Sequence, residues 1–247
     1  LTGFSGSSAT IVITKSFAGL WTDSRYFLQA EIEITGSGFE LAKPALLKQG
    51  GYAEWLSENI QPDSRIGLDG HLFSIQEFRS VEKKLLAKNI KISPDYDLIS
   101  NLWNDRPGIT FSNIFDHHIR YSGRERKDKI DDVRRKMKSI GVAYQLLTSP
   151  DDIMWLLNIR AGDYRNSPLA LSYAIIGPDQ VILFADINNF PSDLAASFDS
   201  SGIVILPYNE ICAIIHKIIK NVTLYLDPER TNVQIYNALP KTALIKE

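Results

Sequence analysis

A single cysteine, Cys212, among 247 residues rules out an internal disulfide framework. It falls on the apolar face of a stretch with helical periodicity, so it reads as a small buried hydrophobe and not as a nucleophile. Histidine is scarce too: His71, His117, His118 and His216 are the four present. The adjacent pair His117 and His118 points apart on most backbones, His216 sits in a helix beside Lys217, and His71 follows a glycine in a loop. None has a carboxylate or second histidine at ligand-pair spacing, so structural roles are expected for all four and no metal-binding or catalytic residue is expected in this chain. Charge of one sign is lacking: 27 Lys and Arg against 29 Asp and Glu give a net charge of −2, which makes no electrostatic case for nucleic acid or an anionic membrane surface. No apolar run approaches the ~20 residues that span a bilayer. A phosphate loop is also missing, because the Gly/Ser turn at residues 3–8 precedes a strand and not a helix.

What is present is enough apolar material, 44% of residues, to fill one large core or two ordinary ones. Two is the better expectation for domains of roughly 100–150 residues. An internal repeat supports it. Residues 9–27 (ATIVITKSFAGLWTDSRYF) align without gaps to residues 172–190 (SYAIIGPDQVILFADINNF), each reading strand, tight turn, strand, Asp, helix start. Trp21 then stands opposite Phe184 and Asp23 opposite Asp186. Further on, RIGLD at 65–69 matches TLYLD at 223–227, each a strand ending in Asp, with short strands to follow at 90–93 and 243–245; LTGFSG at 1–6 echoes LNIRAG at 157–162. In the second copy a helix (127–140), a strand (142–148) and a helix (149–156) precede Leu157, and their counterparts would lie before Leu1. The chain starts with Leu and not Met, so its start is read as not the natural one, and the first domain is expected to be short of one strand and two helices.

The remaining elements fit mixed α/β domains. Strands at 170–176 and 181–185 flank Gly177-Pro178-Asp179-Gln180, which predicts an antiparallel hairpin, with one face of the first strand the more heavily packed. Ser149 is placed to accept a backbone N–H at the start of the helix at 149–156, Pro150 needs no donor there, and Asp151 and Asp152 favour the positive end of the dipole; Ile153, Trp155 and Leu156 form its buried stripe. The charge run at 124–138 carries Ile130, Val133, Met137 and Ile140 at helical spacing and reads as a solvated surface helix with an apolar stripe. Low periodicity at 103–123 places the boundary: a first domain at 1–106, a linker at 107–123 and a second domain at 124–247.

Four segments, LTGFSGSSATIVITKSFAGLWTDSRYFLQ (1–29), LWNDRP (102–107), DDIMWLLNIRAGD (151–163) and PLALSYAII (168–176), resemble, in order, the amino-terminal region of the aminopeptidase P family. The resemblance implies an α/β chain of two similar creatinase-type amino-terminal domains with mixed sheets flanked by helices, the pita-bread catalytic domain lying outside this sequence. It implies a metal-dependent Xaa-Pro aminopeptidase that removes the residue before proline, with two divalent metal ions, taken to be manganese, in the catalytic domain and none in this part. Peptides with proline at the second position are the implied partners, with a homodimer, a cytoplasmic location, and neither nucleic acid nor membrane. The fragment alone would be inactive, gating substrate access and supporting dimerisation.

The resemblance also sharpens one residue. Read alone, Asp23 caps a helix starting at Ser24, and Arg25 is a cation in the first turn, where the dipole disfavours it unless an anion compensates. In the family's WTDGRYF segment this arginine binds substrate, so Arg25 is the candidate substrate-binding residue; Ser24 replaces the family's glycine. NIRAGD stands where the family has NIRGSD, making Arg160 and Asp163 candidates for an active-site rim, with a mutual ion pair or loop cap as the structural alternative. Two other functions stay open: a non-catalytic dimerisation or scaffold module, and the amino-terminal part of a prolidase- or creatinase-like enzyme.

Overall fold

The structure is a computed structural model that describes residues 1–43 and 51–247. Its residues divide into two compact units, one of residues 1–66 and 79–93, the other of residues 67–78 and 94–247.

The first unit opens with a hairpin of β1 (Ala9–Ile13) and β2 (Ala18–Thr22), antiparallel from Ala9↔Thr22 to Ile13↔Ala18 and closed by Thr14 N donating to Phe17 O at 2.8 Å. Helix α1 (Phe27–Glu33) leads to β3 (Glu40–Ala42), parallel to β2, in the order β1-β2-β3. Helix α2 (Tyr52–Asn59) follows, then β4 (Arg65–Gly67), the part of α3 (Ile75–Leu85) from Arg79 onward, and β5 (Lys91–Ser93); β4 and β5 form a separate two-stranded sheet. Side chains alternate across the hairpin, so its two faces carry different cores. Leu20 packs with Ala30 and Ile34 on one face, and Val12 and Trp21 with Ala53, Leu56, Val81 and Leu85 on the other. Gly19 is small because Phe17 and Trp21 close over it: an added Cβ would sit 2.5 Å from the Phe17 ring and 2.7 Å from the Trp21 ring. Phe17 stacks on Trp55 with centroids 4.3 Å apart, completing an aromatic cluster.

The second unit contains β6 (Phe115–Asp116), α4 (Ile119–Ser122), α5 (Arg126–Ser139), β7 (Tyr144–Leu147), α6 (Pro150–Leu157), β8 (Ile159–Arg160), β9 (Tyr173–Ile176), β10 (Val181–Ala185), α7 (Ser192–Ser200), β11 (Ile203–Pro207), α8 (Ile211–Ile218), β12 (Thr223–Tyr225), α9 (Val233–Asn237) and β13 (Leu244–Lys246). Six strands form one sheet in the order β11-β10-β9-β7-β12-β13. Within it β9 is antiparallel to both neighbours, and the remaining pairings are parallel. The repeat alignment maps partner pair onto partner pair, Ile11↔Leu20 onto Ala174↔Leu183 and Ile13↔Ala18 onto Ile176↔Val181. The turn is shared too, since Gly177 N donates to Gln180 O at 2.9 Å as Thr14 does to Phe17.

Several expectations need correction. The hairpin strand was expected to have one heavily packed face, yet both are packed: Ala174 and Ile176 lie against α5, α6 and α7, and Ile175 against α8. Residues 170–172 lie outside β9, because Leu171 N donates to the Asp163 carboxylate at 2.8 Å and not to a ladder partner. Trp155 is 52% exposed, while Ile153 and Leu156 are buried as expected. Ser149 does not cap α6 with its side chain; its hydroxyl donates to Asp151 Oδ1 at 2.6 Å, the stronger acceptor two residues on. Nor is the charged helix α5 wholly solvated, since Lys129 is buried.

Phe184, fully buried in β10, should cost about 3–5 kcal/mol on replacement by Ala. Ile187→Ala, just beyond the same strand and 47% exposed, should change stability by less than about 0.5 kcal/mol. Urea unfolding compares the two; equal costs would mean that β10 is not packed on both faces.

Candidate substrate-binding site

The Asp23–Arg25 turn follows directly from the exit of β2. Asp23 has extended backbone angles, and its side chain accepts Arg25 N at 3.0 Å, capping a short 3-10 turn at Ser24–Tyr26. The same carboxylate takes the guanidinium side-on: Arg25 Nε donates to Oδ1 and Nη2 to Oδ2, both at 2.8 Å. An arginine has five N–H donors, so this fork leaves both hydrogens of Nη1 and one of Nη2 for another acceptor. The Arg25 side chain is 70% exposed, and its guanidinium lies 5.2 Å from the Tyr26 ring centroid. Tyr26 in turn shares a hydrogen bond with Ser7 at 2.6 Å, fastening the Gly/Ser turn to the Arg25 turn. Glu33 anchors the other end of that turn, accepting Ser5 N at 2.8 Å and Ser5 Oγ at 2.7 Å, and these bonds hold its carboxyl below the usual glutamate range.

The second copy separates what the fold needs from what it does not. Asp186 caps Ile187–Asn189 as Asp23 caps its own turn, accepting Asn188 N at 3.2 Å. The residue aligned with Arg25 is Asn188, which also donates to the capping Asp at 3.2 Å. A neutral amide therefore suffices for the turn. The charge and reach of Arg25 are additional.

Arg160 and Asp163, in the second unit, are held by separate partners and not by each other. Arg160 Nη1 donates to Met154 O at 2.9 Å and Ile159 O at 2.8 Å, at the carbonyl end of α6. Asp163 accepts Ser112 N and Ser112 Oγ at 2.6 and 2.7 Å, and Leu171 N at 2.8 Å. Lys129, which sequence reasoning left on a solvated face, serves the same helix end: its Nζ donates to Trp155 O and Asn158 Oδ1, both at 2.7 Å, 4.5 Å from the Trp155 ring centroid. Burial pushes its ammonium pKa down, with Arg160 and Arg124 adding repulsion. Two cations thus face the negative end of a dipole whose positive end holds Asp151 and Asp152. Periodicity did place position 129 beside the apolar stripe, but nothing in the sequence marked its distant carbonyl partners.

The histidines are engaged locally. His118 accepts Arg120 N at 3.1 Å, His216 contacts Ala238 O at 3.1 Å, and His71 lies 2.9 Å from Asp69 Oδ1, a carboxylate partner the sequence reading did not assign. Among the described residues no three His, Cys, Asp or Glu side chains converge as a metal site would require, so the residues present do not fit the pair of ions that the resemblance implies for the catalytic domain. Cys212 is partly buried in the α8 core, and burial raises its thiol pKa. Among the described residues no helix is long and apolar enough to cross a membrane.

Two family models, both described as the creatinase/prolidase N-terminal domain, match residues 1–100 and 105–247. The chain belongs to the creatinase/prolidase N-terminal domain family. As a double creatinase/prolidase N-terminal domain, it is 31% identical over 244 residues to aminopeptidase P2 of Arabidopsis thaliana, covering 95% of this chain and 34% of that protein. It is 30% identical to Xaa-Pro aminopeptidase 1 of Dictyostelium discoideum, covering 100% of this chain and 40% of that protein. In structure it matches the X-prolyl aminopeptidase of Caenorhabditis elegans, a cytosolic enzyme with a di-nuclear active site, with a TM-score of 0.92 at 29% identity over 99% of this chain and 41% of that one. The chain therefore spans between 34% and 41% of the length of these relatives.

The Asp23 carboxyl is held below the ordinary aspartate range, first by the side-chain bond from Arg25. Because the folded value is depressed, the pair's contribution is present above the ordinary Asp range and is lost as pH falls through the folded value. Carboxyl-carbon NMR of Arg25→Ala should show Asp23 titrating at higher pH than in the parent chain. An unchanged titration would mean that the fork does not form in solution.

Proposed function

We propose that this chain is the two-domain amino-terminal part of a metal-dependent Xaa-Pro aminopeptidase, and that Arg25 is its contribution to substrate binding. The observation that carries the reading is the match over 99% of the chain, at a TM-score of 0.92, to an X-prolyl aminopeptidase. The domain division at 1–106, 107–123 and 124–247 belongs to the same proposal; the two family matches, at 1–100 and 105–247, support two domains in that order.

In this reading hydrolysis of the bond before proline takes place in a domain outside these residues, where two divalent metals, manganese in our proposal, supply Lewis-acid chemistry. This chain's part is to bind and to restrict. Asp23 fixes one side of the Arg25 guanidinium, so the side chain presents a pre-oriented fork to a peptide carbonyl or carboxylate. Asn188 fills the same turn without a charge, which supports a role for Arg25 beyond the local fold. Arg160 and Asp163 shape the rim by fixing the loop at 160–171. A homodimer, to whose contacts these domains contribute, and a cytoplasmic location complete the proposal; the relative from Caenorhabditis elegans is a cytosolic enzyme.

The test uses the longer polypeptide and the 247-residue chain side by side, with an Xaa-Pro peptide and added manganese. The longer protein should turn over and the 247-residue chain should not; turnover by the latter overturns the reading. In the longer protein Arg25→Ala should lower kcat/KM about 10- to 100-fold, and Arg25→Lys should restore part of that, because an ammonium cannot reproduce the planar fork. Unchanged kcat/KM in the Ala variant would make Arg25 structural.

A further inference from the structure

In open α/β sheets a crevice forms where the chain leaves two adjacent parallel strands toward opposite faces, and ligands bind at the carboxyl ends of those strands. Strands β7 and β12 of the second unit meet this condition. They run parallel, with Tyr225 beside Gln145. After β7 the chain turns to one face, where α6 packs Ile153, Met154 and Leu156; after β12 it turns to the other, where Ile235 of α9 packs with Ile211 and Ile215 of α8. Strand β9 is antiparallel to β7, so its first residue, Tyr173, stands at the same end. A cleft of about 400 Å³ opens there, walled in part by Thr148 just after β7, by Tyr173, and by Glu229 and Arg230 just after β12. That volume lies in the range of ordinary small-molecule sites.

A further wall is the segment that carries Phe73, which belongs to the same unit. Four backbone bonds lace this segment to the loop after β12. Val233 N donates to Phe73 O at 3.0 Å, Gln234 N to Gly70 O at 3.2 Å, Ile75 N to Thr231 O at 2.9 Å and Gln76 N to Pro228 O at 3.0 Å. Ile75 is buried in the core that α8 and α9 share, so the cleft has its shape before anything enters it.

The polar groups of the cleft carry both signs and are incompletely used. Arg230 N donates to Asp227 O at 3.2 Å, but among the described residues nothing bonds its guanidinium. Its charge reaches Asp151, whose carboxyl is held below the usual range first by the Ser149 hydroxyl and secondarily by Arg230. Glu229 Oε1 accepts Gln76 Nε2 at 3.1 Å, and Oε2 has no partner among the described residues. Tyr173 stacks on Tyr208 with centroids 5.0 Å apart and accepts its hydroxyl at 3.1 Å, which leaves the Tyr173 hydrogen for another acceptor. Burial pushes the Tyr173 pKa up, so the phenol stays a donor. A simple anion would be attracted by Arg230 and repelled by Glu77 and Glu229, and a simple cation would meet the reverse. A molecule bearing one charge of each sign suits both, and the rings of Phe73 and Tyr173 can take its apolar part.

We propose that this cleft binds a small zwitterion with a free α-ammonium and a carboxylate, that is, a free amino acid or a dipeptide. The carboxylate takes the Arg230 guanidinium and the Tyr173 hydroxyl, and the ammonium takes Glu229. The site lies within the second unit and rests neither on Arg25 nor on the hydrolytic reading given above.

Titration calorimetry of the 247-residue chain with L-leucine and with glycyl-L-leucine tests this, the tighter binder showing which of the two sources the cleft prefers. L-Leucinamide, which lacks the carboxylate, and N-acetyl-L-leucine, which lacks the ammonium, should each bind about 10-fold or more weakly than L-leucine. Arg230→Ala and Glu229→Gln should weaken the zwitterion by a similar factor. Both residues are exposed, so the variants should melt at the parent's temperature, which separates lost binding from lost folding. Absence of binding by either zwitterion at millimolar concentration, equal binding of the two blocked analogues, or undiminished binding to the variants overturns the proposal.

Discussion

The second unit depends on the burial of the β9–β10 hairpin from both sides. Val181, Leu183 and Ala185 face one helix layer, and Ile182 and Phe184 the other, with none more than 5% exposed. A strand in that position has no polar face to offer solvent, so two helix layers must close over it, and the parallel pairing of β10 with β11 follows from the helical crossover through α7. The first unit repeats the hairpin with the same register and the same turn bond. One of its faces is partly uncovered, and there the apolar side chains of Ile11 and Ile13 remain in water. The difference between the units is one of coverage and not of pattern.

Much of this was legible in the sequence because the hairpin carries local signals: Val181 to Ala185 is an unbroken apolar run, Gly177-Pro178 marks its turn, and the gapless alignment transfers both to the first copy. The unlegible parts are governed by distant partners. Periodicity assigned Trp155 to a core, yet the residue is half-exposed and its ring covers the buried Lys129 ammonium. It assigned the strand before the turn three residues too many, because Asp163 intercepts the Leu171 amide. A charge run hides one buried lysine when its acceptors, Trp155 O and Asn158 Oδ1, come from another helix end.

For the candidate site, the Asp cap was readable from the Asp-Ser-Arg spacing, and so was the unfavourable placement of a cation in the first turn. The fork itself was not, since a side chain two residues on can as easily turn to solvent. The structure adds a comparison that sequence reasoning alone could not use: Asn188 bonds its capping Asp186 in the place where Arg25 bonds Asp23. Geometry common to both copies belongs to the fold. The charge that only one copy carries is where a specialised role of the first copy is to be sought.

The central claim, one supersecondary unit used twice and covered unequally, is tested most directly at Leu20 and Leu183. These are aligned residues on the inner strands of the two hairpins, each 0% exposed and each directing its backbone groups to a parallel neighbour. Native-state hydrogen exchange on the 247-residue chain, measured as a function of urea, reads the stability of each hairpin separately. The account predicts that the Leu183 amide exchanges only through the largest unfolding event of its unit, and about 10-fold or more slowly than the Leu20 amide, whose unit leaves Ile11 and Ile13 exposed. Equal protection at the two positions would contradict it.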